Sequence, residues 1–370
     1  MKRTFFTLML LGLGLGAAAQ ELQTLREYLE AGLERNYDIR IIRNEERISD
    51  NNATAANAGK LPTIDLSAGY TGRLDNDRTT PRGGDPVTEN GIYNQTFDVG
   101  LAVNWTLFDG FRIRAEYAKL EELKAKGALQ TRLTIEDFIA SFTAEYYNFV
   151  QQKLRLGNYL YAMALSRERL RIAEEWYRVG SSARLDVLQA RVDFNADSSQ
   201  YMSQQEAVTA SRIRLNELLA NEELDRKLNV RDSLIAIDAD LEWERLMAQT
   251  RETNASLLLA DRDNTISELE LESIRSRNYP YLKLQAGYGY THNRYGGGAN
   301  RSNGTLGLNA GVQVGFTIFD GNRRREQRNA RIGIENARLT RMQLEQSLMA
   351  DLATFWQAYR NNLEVIRLEE

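Results

Sequence analysis

The chain has 370 residues, and its 47 basic and 51 acidic side chains give a formal net charge of −4. A negative balance argues against nucleic acid as a partner. The chain contains no cysteine, which excludes disulfides, thiolate chemistry and a lipid attached to an N-terminal cysteine. The single histidine, His292, lies in a polar loop and has no companion ligands at the spacing of a metal site. We therefore expect no metal, no cofactor and no enzymatic activity.

Residues 1–19 have the pattern of a secretory signal peptide. Lys2 and Arg3 precede an apolar stretch, and small residues lead to a cleavage point near Gln20. The apolar stretch is too short to cross a bilayer as a helix, so a membrane anchor is the weaker interpretation. No later segment has the length and hydropathy of a transmembrane helix. The pattern predicts export from the cytoplasm.

The remainder of the chain consists of two similar halves. The same interval separates Pro62 from Pro280 and Asn36 from Asn254. Each half also contains a segment that ends in Phe-Asp-Gly. We interpret the pattern as a duplication with a first repeat at 20–220, an irregular connector at 221–240 and a second repeat at 241–370.

Each repeat contains two predicted strands in which apolar and polar residues alternate. The strands are expected at about 63–72, 96–108, 281–292 and 305–319. In a soluble sandwich the apolar face would be buried, whereas an outer-membrane barrel turns it to lipid and its polar face to a wet lumen. Aromatic residues near the strand ends and the signal peptide favour the barrel. The predicted lipid-facing residues are Ile64, Leu66, Tyr70, Phe97, Val99, Leu101, Val103, Trp105, Leu282, Leu284, Tyr288, Leu308, Val312, Val314 and Phe316.

The strand count predicts an oligomer. Closing a barrel takes about eight strands, and lipid does not tolerate an open sheet edge. Four strands in one chain therefore imply that several chains share one barrel.

Long helices are expected to follow the second strand of each repeat. Asp109-Gly110 and Asp320-Gly321 are the predicted strand–helix junctions, because Asp caps helices and Gly allows a turn. A helical hairpin is predicted over about 111–220, with its turn at 179–182 and either serine of that turn capping the return helix. Its first helix carries apolar residues at steps of three and four: Ile135, Ile139, Phe142, Tyr146, Phe149, Leu156, Leu160 and Met163. A shorter helix is expected from about 241, and an incomplete one from about 322.

These features together resemble the TolC-type outer-membrane efflux channels, the outer membrane factor family. The resemblance rests on the two strand blocks, the long helices and the segment from Val179 to Ala190. It implies a mainly α fold with a membrane β-barrel portion, in which a homotrimer forms a twelve-stranded barrel and an α-helical tunnel across the periplasm. It implies a passive export duct in a tripartite efflux or type I secretion system. The partners would be a periplasmic adaptor, an inner-membrane transporter and the lipid of the outer membrane.

The hairpin turn is the expected adaptor contact. A Val-Gly-Leu turn contacts the adaptor in the family; Val179 and Gly180 match it, and Ser181, followed by Ser182, departs from it. A simpler interpretation is that Gly180 only ends the helix, and both interpretations can hold.

The second repeat is expected to be incomplete. Aligned on the first, it lacks the equivalent of roughly 162–220, so the chain is expected to be a fragment or a truncated product, and no gate residue of the family can be transferred to it. The rival interpretation is a periplasmic structural or adaptor-like coiled-coil protein, with its strands in a soluble β domain.

Overall fold

The computed structural model describes residues 24–230, 241–297 and 300–369. The predicted signal peptide and half of the predicted connector lie outside these ranges. The described helices are α1 (Leu25–Arg35), α2 (Tyr37–Asn52), α3 (Arg112–Arg178), α4 (Arg184–Leu218), α5 (Trp243–Thr253), α6 (Ala255–Arg275) and α7 (Arg323–Glu369). The described strands are β1 (Thr63–Thr79), β2 (Val87–Asp109), β3 (Tyr281–Arg294) and β4 (Ser302–Gly315).

The chain divides into two compact units. The hairpin unit comprises the described parts of 1–41 and 134–239, and the sheet unit comprises those of 42–133 and 240–370. The long helix α3 has 67 residues, about 100 Å at 1.5 Å per residue, and it contributes residues to both units.

An aromatic core holds the hairpin unit together. Phe142 and Tyr146 of α3 are almost fully buried and pack with Ile39 and Leu215. The rings of Phe142 and Tyr146 are stacked with centroids 6.5 Å apart. The segment after α4 is tied to this core through Asn216, whose amide donates to the carbonyls of Leu224 and Arg226, each at 2.9 Å. A buried amide with satisfied hydrogen bonds fixes the path of this loop.

The predicted apolar row on α3 is partly wrong. Phe142, Tyr146 and Phe149 are buried as expected, but Ile139 is 37% exposed and Leu160 is 49% exposed. Phe138 is buried in place of Ile139 because Gly32 of α1 carries no side chain and its surface lies against the Phe138 ring. The step from Phe138 to Phe142 is four residues, so the buried stripe passes through Phe138 in place of Ile139, with Ile135 partly buried against the core.

In the sheet unit the four strands form one antiparallel sheet in the order β1-β2-β3-β4. β1 and β2 extend well beyond the predicted bounds, through polar residues such as Arg73 and Asp75, which form an ion pair at 2.7 Å. β4 is shorter than predicted and ends at Gly315, which pairs with Tyr281. The next partner position would be Pro280, which has no N–H to donate. Phe316 therefore lies beyond the strand, contrary to the prediction.

The helices of the sheet unit follow the same lateral order as the strands. Lys124 of α3 pairs with Asp50 of α2 at 2.6 Å, and this carboxylate raises the pKa of Lys124. On its other side α3 contacts α6, because Lys126 pairs with Asp263 at 2.5 Å. α6 in turn contacts α7 through Arg341, which pairs with Asp261 at 2.6 Å. The order is thus α2-α3-α6-α7.

A single helix was expected from about 241, and two are found. Asn254 separates α5 from α6, and its side-chain oxygen accepts hydrogen bonds from the N–H groups of Ser256 at 3.0 Å and Leu257 at 3.2 Å. Asn36, its counterpart in the first repeat, separates α1 from α2 and accepts from Ile39 at 3.2 Å. Asparagine is a strong N-cap, so each repeat opens with two helices joined at an asparagine.

Candidate functional site

The strand pairing brings the predicted apolar residues onto one face of the sheet. Leu66 lies opposite Leu101, Leu101 opposite Tyr288, and Tyr288 opposite Leu308. Directly opposed residues project from the same face, so these four form one transverse row. The same register places the other predicted strand residues on this face. They are Ile64 opposite Val103, Tyr70 opposite Phe97, Trp105 opposite Leu284, Leu284 opposite Val312, Leu282 opposite Val314, and Val99.

Nothing in the described chain covers this apolar face. Leu66 is 74% exposed, Leu308 is 77% exposed and Val314 is 71% exposed. A contiguous exposed apolar surface that spans four strands marks contact with a membrane or a protein partner.

The opposite face is polar. A cavity of about 390 Å³ lies over it and is lined by side chains that include Ser67, Asp98, Asn104 and Asn309. The central row across this face has almost no side chains, because Ser67 is followed across the sheet by Gly100, Gly289 and Gly307. Three members of this row, Ser67, Gly100 and Gly289, line the cavity.

Both lateral edges of the sheet are open. Within the described residues β1 pairs only with β2, and β4 pairs only with β3. Each edge leaves a row of backbone N–H and C=O groups without partners, which costs several kcal/mol per group in hydrocarbon. The sheet is therefore incomplete as a membrane structure in one chain.

The first strand–helix junction has a tightly defined backbone. The carboxylate of Asp109 accepts from the N–H of Ile113 at 3.1 Å and pairs with Arg112 at 3.1 Å. Gly110 has φ of +70°, and a Cβ at this position would collide with the carbonyl oxygen of Ser276. Only glycine fits here, for conformational and for steric reasons.

The second junction has the same sequence but a different structure. The carboxylate of Asp320 accepts from the N–H of Asn322 at 3.0 Å, close to the start of α7. Gly321 does not have a positive φ, and a Cβ there would meet only the Phe319 ring at 3.8 Å. The difference follows from the early end of β4, which leaves the residues from Phe316 to Asp320 outside the sheet.

The hairpin turn ends α3 in a Schellman motif. The N–H of Gly180 donates to Tyr177 at 3.0 Å, the N–H of Ser181 donates to Trp176 at 2.9 Å, and Gly180 has φ of +78°. The prediction that a serine caps α4 is wrong. The Ser181 hydroxyl donates back to the carbonyl of Trp176 at 3.1 Å, and Ser182 Oγ has no partner within the described chain.

The N-terminus of α4 is capped instead by a carboxylate. Asp186 accepts from the N–H of Ala183 at 3.0 Å, and a negative charge in the first turn also interacts favourably with the helix dipole. Two apolar side chains at the tip are exposed: Val179 of the turn at 72% and Leu185 of the first turn of α4 at 73%. An apolar residue held at a rigid exposed turn is suited to contact with another protein.

The one histidine of the chain has a structural contact. His292 stacks on Tyr290, and its Nδ1 lies 3.4 Å from the tyrosine hydroxyl. Among the described residues no group of His, Asp or Glu could hold a metal ion. In these same ranges, no helix combines the length and hydropathy needed to cross a bilayer.

The sequence did not reveal the cleft beside the first junction. A cavity of about 570 Å³ lies between the end of β2, the start of α3 and the segment before β1, and its lining includes Trp105, Phe111 and Lys60. The available signal was the aromatic residue directly after Phe-Asp-Gly, which has no aromatic counterpart at Asn322 in the second repeat.

A sheet with one apolar and one polar face, joined to long polar helices, is the architecture of an outer-membrane channel subunit. Residues 17–221, more than half of the chain, match the family model described as "Outer membrane efflux protein". The chain belongs to this family. Its members are transport channels of the outer membrane and not enzymes, so the predicted family and location are confirmed at this level.

Solved channel structures share the fold. The outer-membrane channel OprN matches with 21% identity and a TM-score of 0.70, over 91% of this chain and 73% of that one. The Campylobacter jejuni CmeC channel matches with 16% identity and a TM-score of 0.73, over 88% and 68%. The outer membrane protein VceC from Vibrio cholerae matches with 16% identity and a TM-score of 0.71, over 93% and 81%. No curated protein matches the chain.

Proposed function

We propose that three copies of this chain form one channel, with β1 of each copy paired to β4 of the next. Twelve strands would then close a barrel without an open edge. The supporting observation is that strands and helices share one lateral order. The order β1-β2-β3-β4 leaves the outer edges of β1 and β4 without a partner, and α2-α3-α6-α7 leaves α2 and α7 at the corresponding edges. One rotation can therefore close both layers at once.

In this assembly the apolar face contacts lipid and the polar face lines the lumen. The cavity over the polar face supports this assignment, because a closed barrel encloses its polar face. The most exposed apolar residues, such as Leu66 and Leu308, then gain a hydrocarbon environment. Each buried leucine contributes about 1.5–3 kcal/mol relative to exposure in water.

The helices extend into the periplasm and form a duct for passive export, with an inner-membrane transporter as the source of energy. The tip from Val179 to Ser182 contacts a periplasmic adaptor. This assignment rests on the exposure of Val179 and on the rigidity that the Schellman turn gives to the tip.

The oligomer is tested by fractionation and electrophoresis of the full-length protein. We expect recovery in the outer-membrane fraction, solubilisation only by detergent, and a trimer band that heating converts to monomer. Reconstituted into a planar bilayer, the trimer should conduct ions. Recovery of the protein as a soluble periplasmic monomer would refute the shared barrel and support the rival coiled-coil protein.

The adaptor contact is tested by Val179→Asp, which places a charge at the tip. Export should fall while the trimer band persists, because the change lies at an exposed turn. The matched control is Tyr161→Asp, also on an exposed surface (73%) of the hairpin unit. Equal export by the two variants would refute the proposal that the tip contacts the adaptor.

A further inference from the structure

We propose that the cleft beside the first strand–helix junction binds an acidic phospholipid of the periplasmic leaflet. The proposal rests on the proposed function, since it requires the apolar face of the sheet to lie in lipid. The cleft has a volume of about 570 Å³ and lies at the level where the strands give way to helices.

The apolar part of the cleft continues the apolar face of the sheet. Trp105 and Phe108, both in the lining, are opposed to Leu284 and Leu282 and so belong to that face. Ile113 and Tyr117 of α3 extend the lining beyond the end of the strand. An acyl chain that runs along the barrel wall can therefore enter the cleft without crossing a polar surface. Trp105 is fixed in this wall because its Nε1 donates to the carbonyl of Lys60 at 2.9 Å.

Two cations lie in the same lining. Lys60 and Arg114 are exposed, and the described residues supply no carboxylate for either side chain. A third exposed cation, Arg275, lines an adjoining polar cavity of about 440 Å³ together with Arg114 and one carboxylate, Glu272. A phosphate accepts charge-assisted hydrogen bonds from both kinds of side chain. Basic residues next to a membrane-spanning segment attract acidic headgroups.

The one carboxylate in the lining is already engaged. Asp109 accepts from the N–H of Ile113 and pairs with Arg112, so its charge is directed to the start of α3. The Tyr117 hydroxyl also stays protonated over a wider pH range than usual, because its hydrogen bond to Glu121 raises the pKa of Tyr117. The remaining free charge in the cleft is positive.

Phe111 is held in an unusual conformation at the edge of the cleft. It has φ of +74°, which is rare for a bulky residue, and its ring contacts Phe108 at 5.2 Å and Tyr279 at 5.8 Å between centroids. The ring nevertheless remains 55% exposed. Unfavourable backbone conformations persist where the surroundings enforce them, often at ligand sites. A lipid chain would cover the exposed part of this ring.

The experiment measures lipid that remains bound to the intact channel. The trimer is purified from outer membranes in a neutral detergent, and phospholipid is identified by native mass spectrometry and quantified after extraction. We expect acidic phospholipid to be retained and the variant Lys60→Gln/Arg114→Gln to lose it, with affinity for short-chain phosphatidylglycerol reduced about tenfold or more. The conservative variant Lys60→Arg/Arg114→Lys should retain it.

Two controls separate this proposal from its alternatives. Arg155→Gln/Arg169→Gln removes two exposed arginines of α3 outside the cleft and should leave retention unchanged. Short-chain phosphatidylglycerol should stabilise the delipidated trimer against heat, while inorganic phosphate and phosphatidylcholine of equal chain length should not. Equal stabilisation by inorganic phosphate, or equal lipid retention in the Lys60/Arg114 variant, overturns the lipid site. If retention fails in an intact outer-membrane trimer, the proposed channel still stands; loss of the trimer from the membrane would refute the channel itself.

Discussion

Replacing Gly110 with alanine should destabilise the protein, whereas the same change at Gly321 should not. The two glycines occupy the same position in duplicated Phe-Asp-Gly segments. Gly110 has φ of +70°, and a Cβ there would overlap the Ser276 carbonyl and lie 2.9 Å from the Cβ of Tyr279. At Gly321 the nearest atom to a new Cβ is 3.8 Å away, which is ordinary van der Waals contact.

The size of the effect follows from two contributions. A left-handed conformation costs an L-residue about 1–2 kcal/mol. Moving the Ser276 carbonyl costs about 1–3 kcal/mol more, as in other overpacked sites, because that carbonyl also accepts from the N–H of Tyr279 at 3.0 Å. We therefore expect Gly110→Ala to lower the free energy of unfolding by about 2–5 kcal/mol. Gly321→Ala should lie within about 0.5 kcal/mol of the parent protein.

The measurement is denaturant unfolding of the purified trimer, followed by far-ultraviolet circular dichroism. The midpoint of Gly110→Ala should shift to lower denaturant concentration at unchanged slope. Equal midpoints for the two alanine variants would refute the reasoning, because the sequence context is the same and only the backbone differs.

Three further predictions concern the helices. Gly180→Ala should destabilise the hairpin by about 1–2 kcal/mol in thermal unfolding, because Gly180 has φ of +78° although the space around it is free. Gly157 lies inside α3 with equally free space, so Gly157→Ala should stabilise the hairpin by about 0.5–1 kcal/mol in the same assay. Phe142→Ala should cost about 3–5 kcal/mol because the ring is 1% exposed, whereas Leu160→Ala, at a 49% exposed position, should cost well under half of that in the same assay. Burial raises the pKa of Tyr28 above its usual value of 10. The stability that the protonated hydroxyl contributes is therefore complete below pH 10 and is lost as the pH rises through the raised pKa. Tyr28→Phe should lack this loss when the free energy of unfolding is measured against pH.

The faces of the sheet could be predicted from the sequence because side chains alternate along a strand. Leu66, Leu101, Tyr288 and Leu308 were assigned to one face by alternation alone. That they form a single row depends on the register, which pairs Leu66 with Leu101 across a long hairpin. Alternation does not specify that register, and the polar residues between Arg73 and Asp77 gave no sign that β1 continues through them.

The ends of the elements were the least predictable part. Phe316 satisfies the alternating pattern, yet β4 ends before it because its partner position is Pro280, the residue directly before β3. Serine is a residue type that often caps helices, yet the Ser181 hydroxyl donates to the carbonyl of Trp176 in the preceding helix, because the turn at Gly180 directs it there. For Phe316 the outcome is decided by a residue of a distant segment, which a local pattern does not contain. The cleft at Lys60 and Arg114 was missed for the same reason, since its walls come from three separate segments.

The glycine row on the polar face bears on cargo selection. At Gly100 and Gly289 a Cβ would lie only 3.0–3.2 Å from the neighbouring backbone, so a larger residue at either position would require the adjacent strand to move slightly. In the proposed channel this row of glycines would be a permissive stretch, and any selection by charge on this face would fall to side chains beside the row, such as Asp98.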